Sequence, residues 1–189
     1  TQFGGDGSPG STGRFSGQVS WEGGDLQQNF EIKSGATLTA TGATAKRQIG
    51  SGLTNNGTFD WSTGATLQGG NSSVFTNNGR FDMMADAAVT WNFGGQASLV
   101  NNGLLVKTAG AGTSDLSTLA LTNNGTMDVR SGSIRLPANC VNGGTLKGTG
   151  AFEVGGTLTN NGHVAPGASP GTLTVNGNFA QSSAGSFDV

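Results

Sequence analysis

The run LTNNGTFDW at 53–61 returns as FTNNGRFDM at 75–83 and LTNNGTMDV at 121–129, with looser copies at 99–107, 140–148 and 158–166. Aligned on the first asparagine, the copies fall at Asn55, Asn77, Asn101, Asn123, Asn142 and Asn160, in steps of 22, 24, 22, 19 and 18 residues. A period near 20 in a chain of short apolar-alternating runs leaves few folds open. One such unit cannot bury its own apolar face, so neighbouring units must cover it.

Each unit reads as a strand, a sharp corner, a second strand and a variable return. Side chains alternate sides along a strand, so parity assigns the faces. The column Leu53, Phe75, Leu99, Leu121, Cys140, Leu158 precedes the corner, and Phe59, Phe81, Leu105, Met127, Leu146, Val164 follows it. Both columns are apolar throughout and should point inward. The expected fold is all-β: a parallel β-solenoid (β-helix) of about 7–9 coils, each of 18–24 residues and each rising about 4.8 Å. A further copy is expected at FEIKSGATL, 30–38, aligned with FDWSTGATL at 59–67. Residues 1–20 read as a Gly-rich arm or partial coil, and 21–189 as one solenoid domain.

The corner divides into roles by what varies in it. The second position is Asn56, Asn78, Asn102, Asn124 and Asn161, but Gly143 in the fifth copy. Asn and Gly share tolerance of positive φ, so this position is expected to be left-handed. The first position accepts only Asn. An inward amide can donate to one coil and accept from the other, and the six residues Asn55, Asn77, Asn101, Asn123, Asn142 and Asn160 are expected to form a corner ladder.

Composition excludes several classes. With 33% hydrophobic and 11% charged residues and a formal net charge of -2, charge-driven disorder is not expected. The 35 glycines lack the every-third spacing of collagen. The charge balance gives no reason to expect a nucleic acid, and no apolar run approaches the roughly 20 residues of a membrane helix. Lys46-Arg47 reads as a solvated loop. Cys140 is the single cysteine, expected as a small buried hydrophobe. The start at Thr1 without Met is expected of a processed or cut chain.

The C-terminal segment GHVAPGASPGTLTVNGNFAQSSAGSFDV, 162–189, resembles the autotransporter-associated β-strand repeat through Pro166, Gly167, Ser169, Pro170, Gly171, Thr172, Leu173, Val175, Gly177 and Asn178. The Asn-Asn-Gly coils are similar in pattern to the β-helical passenger regions of bacterial surface adhesins and filamentous haemagglutinin-like proteins. The resemblance implies a secreted or surface-displayed bacterial segment, right-handed and usually part of a longer chain.

Four groups of residues could carry chemistry. GASPG, 167–171, fits a nucleophile-elbow pattern around Ser169, but Pro170 has no N–H for an oxyanion hole. His163, the only histidine, should face solvent. Glu31, Asp60 and Asp82 are expected as an outward carboxylate ladder, with Asp128 beside Lys147. A solvated stripe is the reading of that ladder, with a calcium site as the alternative. Trp21 and Trp91 are the candidates for a glycan contact, while Trp61 shares parity with Phe59 and belongs to the core.

These readings converge on a non-enzymatic structural segment at the bacterial cell surface or outside the cell: an adhesin stalk or passenger, or a fibre subunit. An uncapped end coil would favour end-to-end self-association. Other surface proteins or glycans are further candidate partners. A carbohydrate-binding module is the alternative, and a polysaccharide-degrading enzyme a distant third.

Overall fold

The computed structural model describes residues 2–4, 12–49, 52–167 and 171–188. Its architecture follows from the coil. In one turn, Val74–Asn77 forms the first face, Arg80–Met83 the second and Val89–Phe93 the third. The next turn repeats this with Ser98–Asn101, Leu104–Lys107 and Thr113–Asp115. The chain is a parallel β-solenoid of about eight turns, its strands gathered into sheets of 12, 9 and 4 strands among the described residues.

Stacking is in register. On the first face Leu53 lies opposite Phe75, then Leu99, then Leu121. On the second face Phe59, Phe81, Leu105, Met127, Leu146 and Val164 follow one another. All six second-face residues are buried; in the first column only Leu121 is half-buried. Each fully buried side chain contributes roughly 1.5–3 kcal/mol before conformational entropy is set against it. Aromatic packing concentrates in the third and fourth turns: Phe59 stacks on Phe81 at 5.1 Å, and Phe75 lies 5.5 Å from Phe59. A second inward column runs through Trp21, Ala40, Trp61, Met83, Lys107 and Val129.

Three expectations are corrected. The copy at 30–38 is out of step with 59–67, because Phe30 lies opposite Leu53 and Ile32 opposite Asn55. The shared letters GATL lead into the second face in one turn (Thr37–Ala40) and the third in another (Leu67–Gly70). Lys46 is no solvated loop. It is fully buried, in line with Leu67 and Val89, and its ammonium donates to the carbonyls of Thr41, Gly42 and Thr44 at the corner. The second corner position is not left-handed either. Among the described residues other than glycine, positive φ occurs only at Asn71, Ser72 and Asn139.

What the corner demands instead is a glycine at its third position. A Cβ on Gly103 would collide with the carbonyl oxygen of Gly79, one on Gly125 with that of Gly103, and one on Gly162 with that of Gly144. Coils approach here backbone to backbone, and φ plays no part.

The two ends differ. Gly13–Ser16 and Gln18–Trp21 already form strands of the first turn. Gln2–Gly4 folds back antiparallel on Gly13–Ser16, the one antiparallel pairing among the described residues. At the other end Ala151–Asn160 and Thr174–Gln181 are long strands that run from the third face onto the first.

Replacing Gly103 by Ala should lower stability by about 1–3 kcal/mol, because the backbone below cannot yield. Gly64 is exposed and its Cβ would meet nothing closer than 3.7 Å. Gly64→Ala should leave the unfolding free energy from urea titration within about 0.5 kcal/mol of the parent; similar losses at both sites would refute the stacking account.

Candidate functional site

The most organised polar feature is the corner itself. Asn55 donates from Nδ2 to Oδ1 of Asn77 at 2.8 Å, Asn77 to Asn101 at 2.7 Å, and Asn101 to Asn123 at 2.7 Å. The row continues through Asn142 at 2.6 Å and Asn160 at 2.7 Å, and closes on Oε1 of Gln181 at 2.9 Å. All six asparagines are buried. The second N–H of Asn55, Asn77 and Asn101 is held by the carbonyls of Arg80, Leu104 and Thr126. Each amide is therefore satisfied where water cannot reach, as a buried polar group must be.

A second amide row, at the position whose Asn-or-Gly alternation suggests a left-handed backbone, runs beside the first on the outside. Asn124 donates to Asn102 at 3.0 Å, Asn102 to Asn78 at 2.9 Å, and Asn78 to Asn56 at 2.9 Å. Asn56 then donates to Glu31 at 3.0 Å. A carboxylate can only accept, so Glu31 turns the Asn56 amide and with it the whole row. The outer row points its donors toward the N-terminus; the inner row points them toward the C-terminus. It stops at Asn124 because Gly143 has no side chain to offer.

Glu31 thus lies on the first face beside Thr54, away from the carboxylates it was expected to join. Asp60 and Asp82 do stack on the second face. Asp82 is buried between Arg80 and the hydroxyl of Thr108, which donates to it at 2.6 Å. Asp128 meets Arg130 at 2.8 Å and Lys147 at 3.8 Å. On the third face Arg135 bridges Asp115 at 3.1 Å and Glu153 at 2.9 Å, while Ser133 and Thr113 donate to the other oxygen of Glu153. Lys107 occupies an inward position and reaches out to Asp86 at 2.6 Å, a buried cation that sequence parity did not anticipate. Among the described residues, no three His, Cys, Asp or Glu side chains converge as a metal ion would need.

Charge is segregated by face. From the third turn onward the outward positions of the first face carry Thr54, Thr76, Val100, Thr122, Val141 and Thr159 in one column and Gly52, Val74, Ser98 and Ala120 in another. None is ionisable.

The other singled-out residues are placed as follows. Trp21 is buried at 8% exposure, its indole donating to the Gly23 carbonyl, and so offers no surface to a sugar ring; that candidate contact is withdrawn. Trp61 is in the core at 1%. Trp91 is 40% exposed, with its N–H turned back to the carbonyls of Phe93 and Gly94. His163 is half-buried and spans Ser186 through Nδ1 and Asp188 through Nε2, each at 2.8 Å, clasping the last strand to the turn below. The backbone N–H of Ser186 is held by the Gly162 carbonyl. Cys140 is buried, which raises its thiol pKa to about 11. Ser169 and Pro170 lie outside the described residues.

No family model, curated protein or solved structure matches the chain.

Two measurements follow. Asn101→Ala should remove the acceptor of Asn77 and the donor to Asn123, lowering stability by about 1–3 kcal/mol for each buried group orphaned. Asn102→Ala on the exposed row should lower it by less than about 1 kcal/mol, and equal losses in denaturant titration would refute the distinction between the rows.

The carboxylates set the second test. Glu31 is held low by the Asn56 hydrogen bond and then by Arg14, and Glu153 by Ser133, Thr113 and Arg135 against the effect of burial. Asp86 is lowered by Lys107 and the Gly112 N–H. Burial pushes Asp115 up, but its Ser117 hydrogen bonds and Arg135 outweigh it. Folded values below unfolded ones mean stability that is present above the ordinary carboxylate pKa and lost as pH falls through the folded values. Asp60, raised by burial and then by Asp82, acts in the opposite sense. The melting temperature should therefore fall as pH drops below about 4.5, the ordinary glutamate value, and Glu153→Gln should flatten that fall.

Proposed function

We propose that this chain is a structural segment of a bacterial surface or secreted protein, a β-solenoid spacer of the stalk or passenger type that holds its neighbours at a set distance and performs no catalysis. The observation that carries the reading is the buried amide row, unbroken from Asn55 to Gln181. A spacer needs every coil tied to the next at a fixed spacing, and this row does that with side chains, in addition to the backbone ladders. The charged residues point the same way: Arg14, Arg47, Arg80, Lys107, Arg130 and Arg135 each pair with a carboxylate, which suits a surface that stabilises itself. The extracellular part of the reading rests on the resemblance of 162–189 to the autotransporter-associated repeat and of the coils to adhesin passengers.

The glycan-binding alternative now rests on Trp91, since Trp21 is buried. A platform for sugar rings needs aromatics in a line, and among the described residues the other exposed aromatics, Phe179 and Phe187, are on the last strands, away from Trp91 in sequence and turn.

Small-angle scattering should give a rod with a long axis of roughly 40 Å, from eight turns at about 4.8 Å each. Antibody labelling of intact producing cells, or of their medium, should find the protein outside the cytoplasm. Retention in the cytoplasm, or turnover of a polysaccharide abolished by a point substitution, would replace this reading with another.

A further inference from the structure

The first face differs from the other two in what it turns outward along the body of the solenoid. One outward column reads Thr54, Thr76, Val100, Thr122, Val141 and Thr159, stacked turn on turn. Thr and Val share one branched shape, so the column keeps a constant outline. Strand propensity alone does not explain the restriction. The equivalent columns of the second face accept Arg80, Leu104, Asp60 and Lys147, and the third face carries Arg47 and Arg135.

Two further rows flank the Thr/Val column. On one side stand Gly52, Val74, Ser98 and Ala120, all uncharged. On the other, at the corner, Asn78, Asn102 and Asn124 are exposed and chained to one another. Each spends one N–H within its row, and the other has no partner among the described residues. The hydroxyls of Thr54, Thr76, Thr122 and Thr159 likewise make no hydrogen bond among the described residues.

We propose that the first face is an ice-binding surface, whose partner is the water lattice itself. Its period is fixed. Turns lie about 4.8 Å apart and the two strand columns about 6.6 Å apart, a grid close to the oxygen repeats on faces of hexagonal ice, and the buried amide row keeps that grid in register. Its chemistry is mixed in the way a lattice requires: hydroxyls and amides donate and accept in place of lattice waters, while the methyls of Thr and Val are covered by water that bonds around them. It is also neutral. An ion orients water about itself and has no place in the lattice, so a single charge on the face would spoil the match.

Area decides against a second copy of the chain as the occupant. The face runs about 24 Å from Thr54 to Thr159 and about 13 Å across, roughly 300 Å², well short of the about 800 Å² that each partner buries in a standard protein interface. Ice suits a small face better, because its water is already ordered and the entropy of immobilising bridging waters is not charged to binding. The inference does not rest on the spacer reading, since it follows from the face wherever the protein is located.

Slow freezing of a dilute solution of the whole chain onto a cold surface tests it. The protein should be enriched in the ice, whereas an ordinary solute is left in the liquid. Thr122→Lys should abolish that enrichment with an unchanged circular dichroism spectrum, and Thr126→Lys, the same change on the second face, should leave it intact. To separate a lost site from a disturbed fold, Thr122→Cys is capped with a bulky maleimide after folding; Cys140 is buried and out of the reagent's reach. Enrichment should be present before capping and lost after it, and capping Thr126→Cys should change nothing. Exclusion of the parent chain from ice, enrichment that survives Thr122→Lys or the cap, an equal loss from the second-face changes, a sedimenting dimer that Thr122→Lys dissociates, or retention on crystalline cellulose in place of ice would each overturn the proposal. The scattering and cell-labelling tests are independent of these outcomes: a spacer that ice excludes is still a spacer.

Discussion

A buried polar group is tolerable only with a partner, and this fold buries a carboxamide in most of its turns. The corner asparagine is acceptable only because the identical residue sits above and below it. That requirement propagates outward. It holds the coils in strict register, which aligns the apolar columns, and it brings the backbones so close at the corner that glycine must follow two residues later. Variation is then confined to the return segments, where the steps of 18 to 24 residues find their slack.

The first and last rungs show what happens where the repetition fails. Below Asn55 stands Ile32, which cannot donate, and the Asn55 oxygen turns to the Gly57 N–H of its own corner at 3.1 Å. Above Asn160 stands Gln181, one methylene longer, which still accepts. Local substitutes thus stand in where the asparagine is replaced, and nothing about the row requires a fixed number of turns.

Much of this was legible because repetition lets each position be read several times. The inward columns and the first corner asparagine came from six aligned copies, and parity alone placed Trp61 in the core. The failures have separate causes. Asn-or-Gly at the second position suggested backbone conformation, yet the amide was wanted for its hydrogen bonds and Gly143 merely ends the row. Glu31 was misplaced because GATL occurs twice in different structural settings, and letter similarity outweighed the spacing to the next corner. Lys46 and Lys107 were missed because a lysine can bury its stem inward while its ammonium finds carbonyls or a carboxylate at the corner. A lysine in an apolar column was the available signal for Lys107, which aligns with Met83 and Val129.

The opposed sense of the two amide rows bears on how long such a rod can grow. In an α-helix every peptide dipole adds, and the ends accumulate partial charges that must be compensated. Parallel sheets contribute little net moment along the stacking direction, but a single file of aligned carboxamides would restore the problem, growing with each turn. Here the file on the inside runs one way and the file on the outside runs the other, so over the turns where both exist their moments subtract. Extra turns can be inserted or lost without charging the tips, and length becomes free to vary with whatever distance the protein has to span.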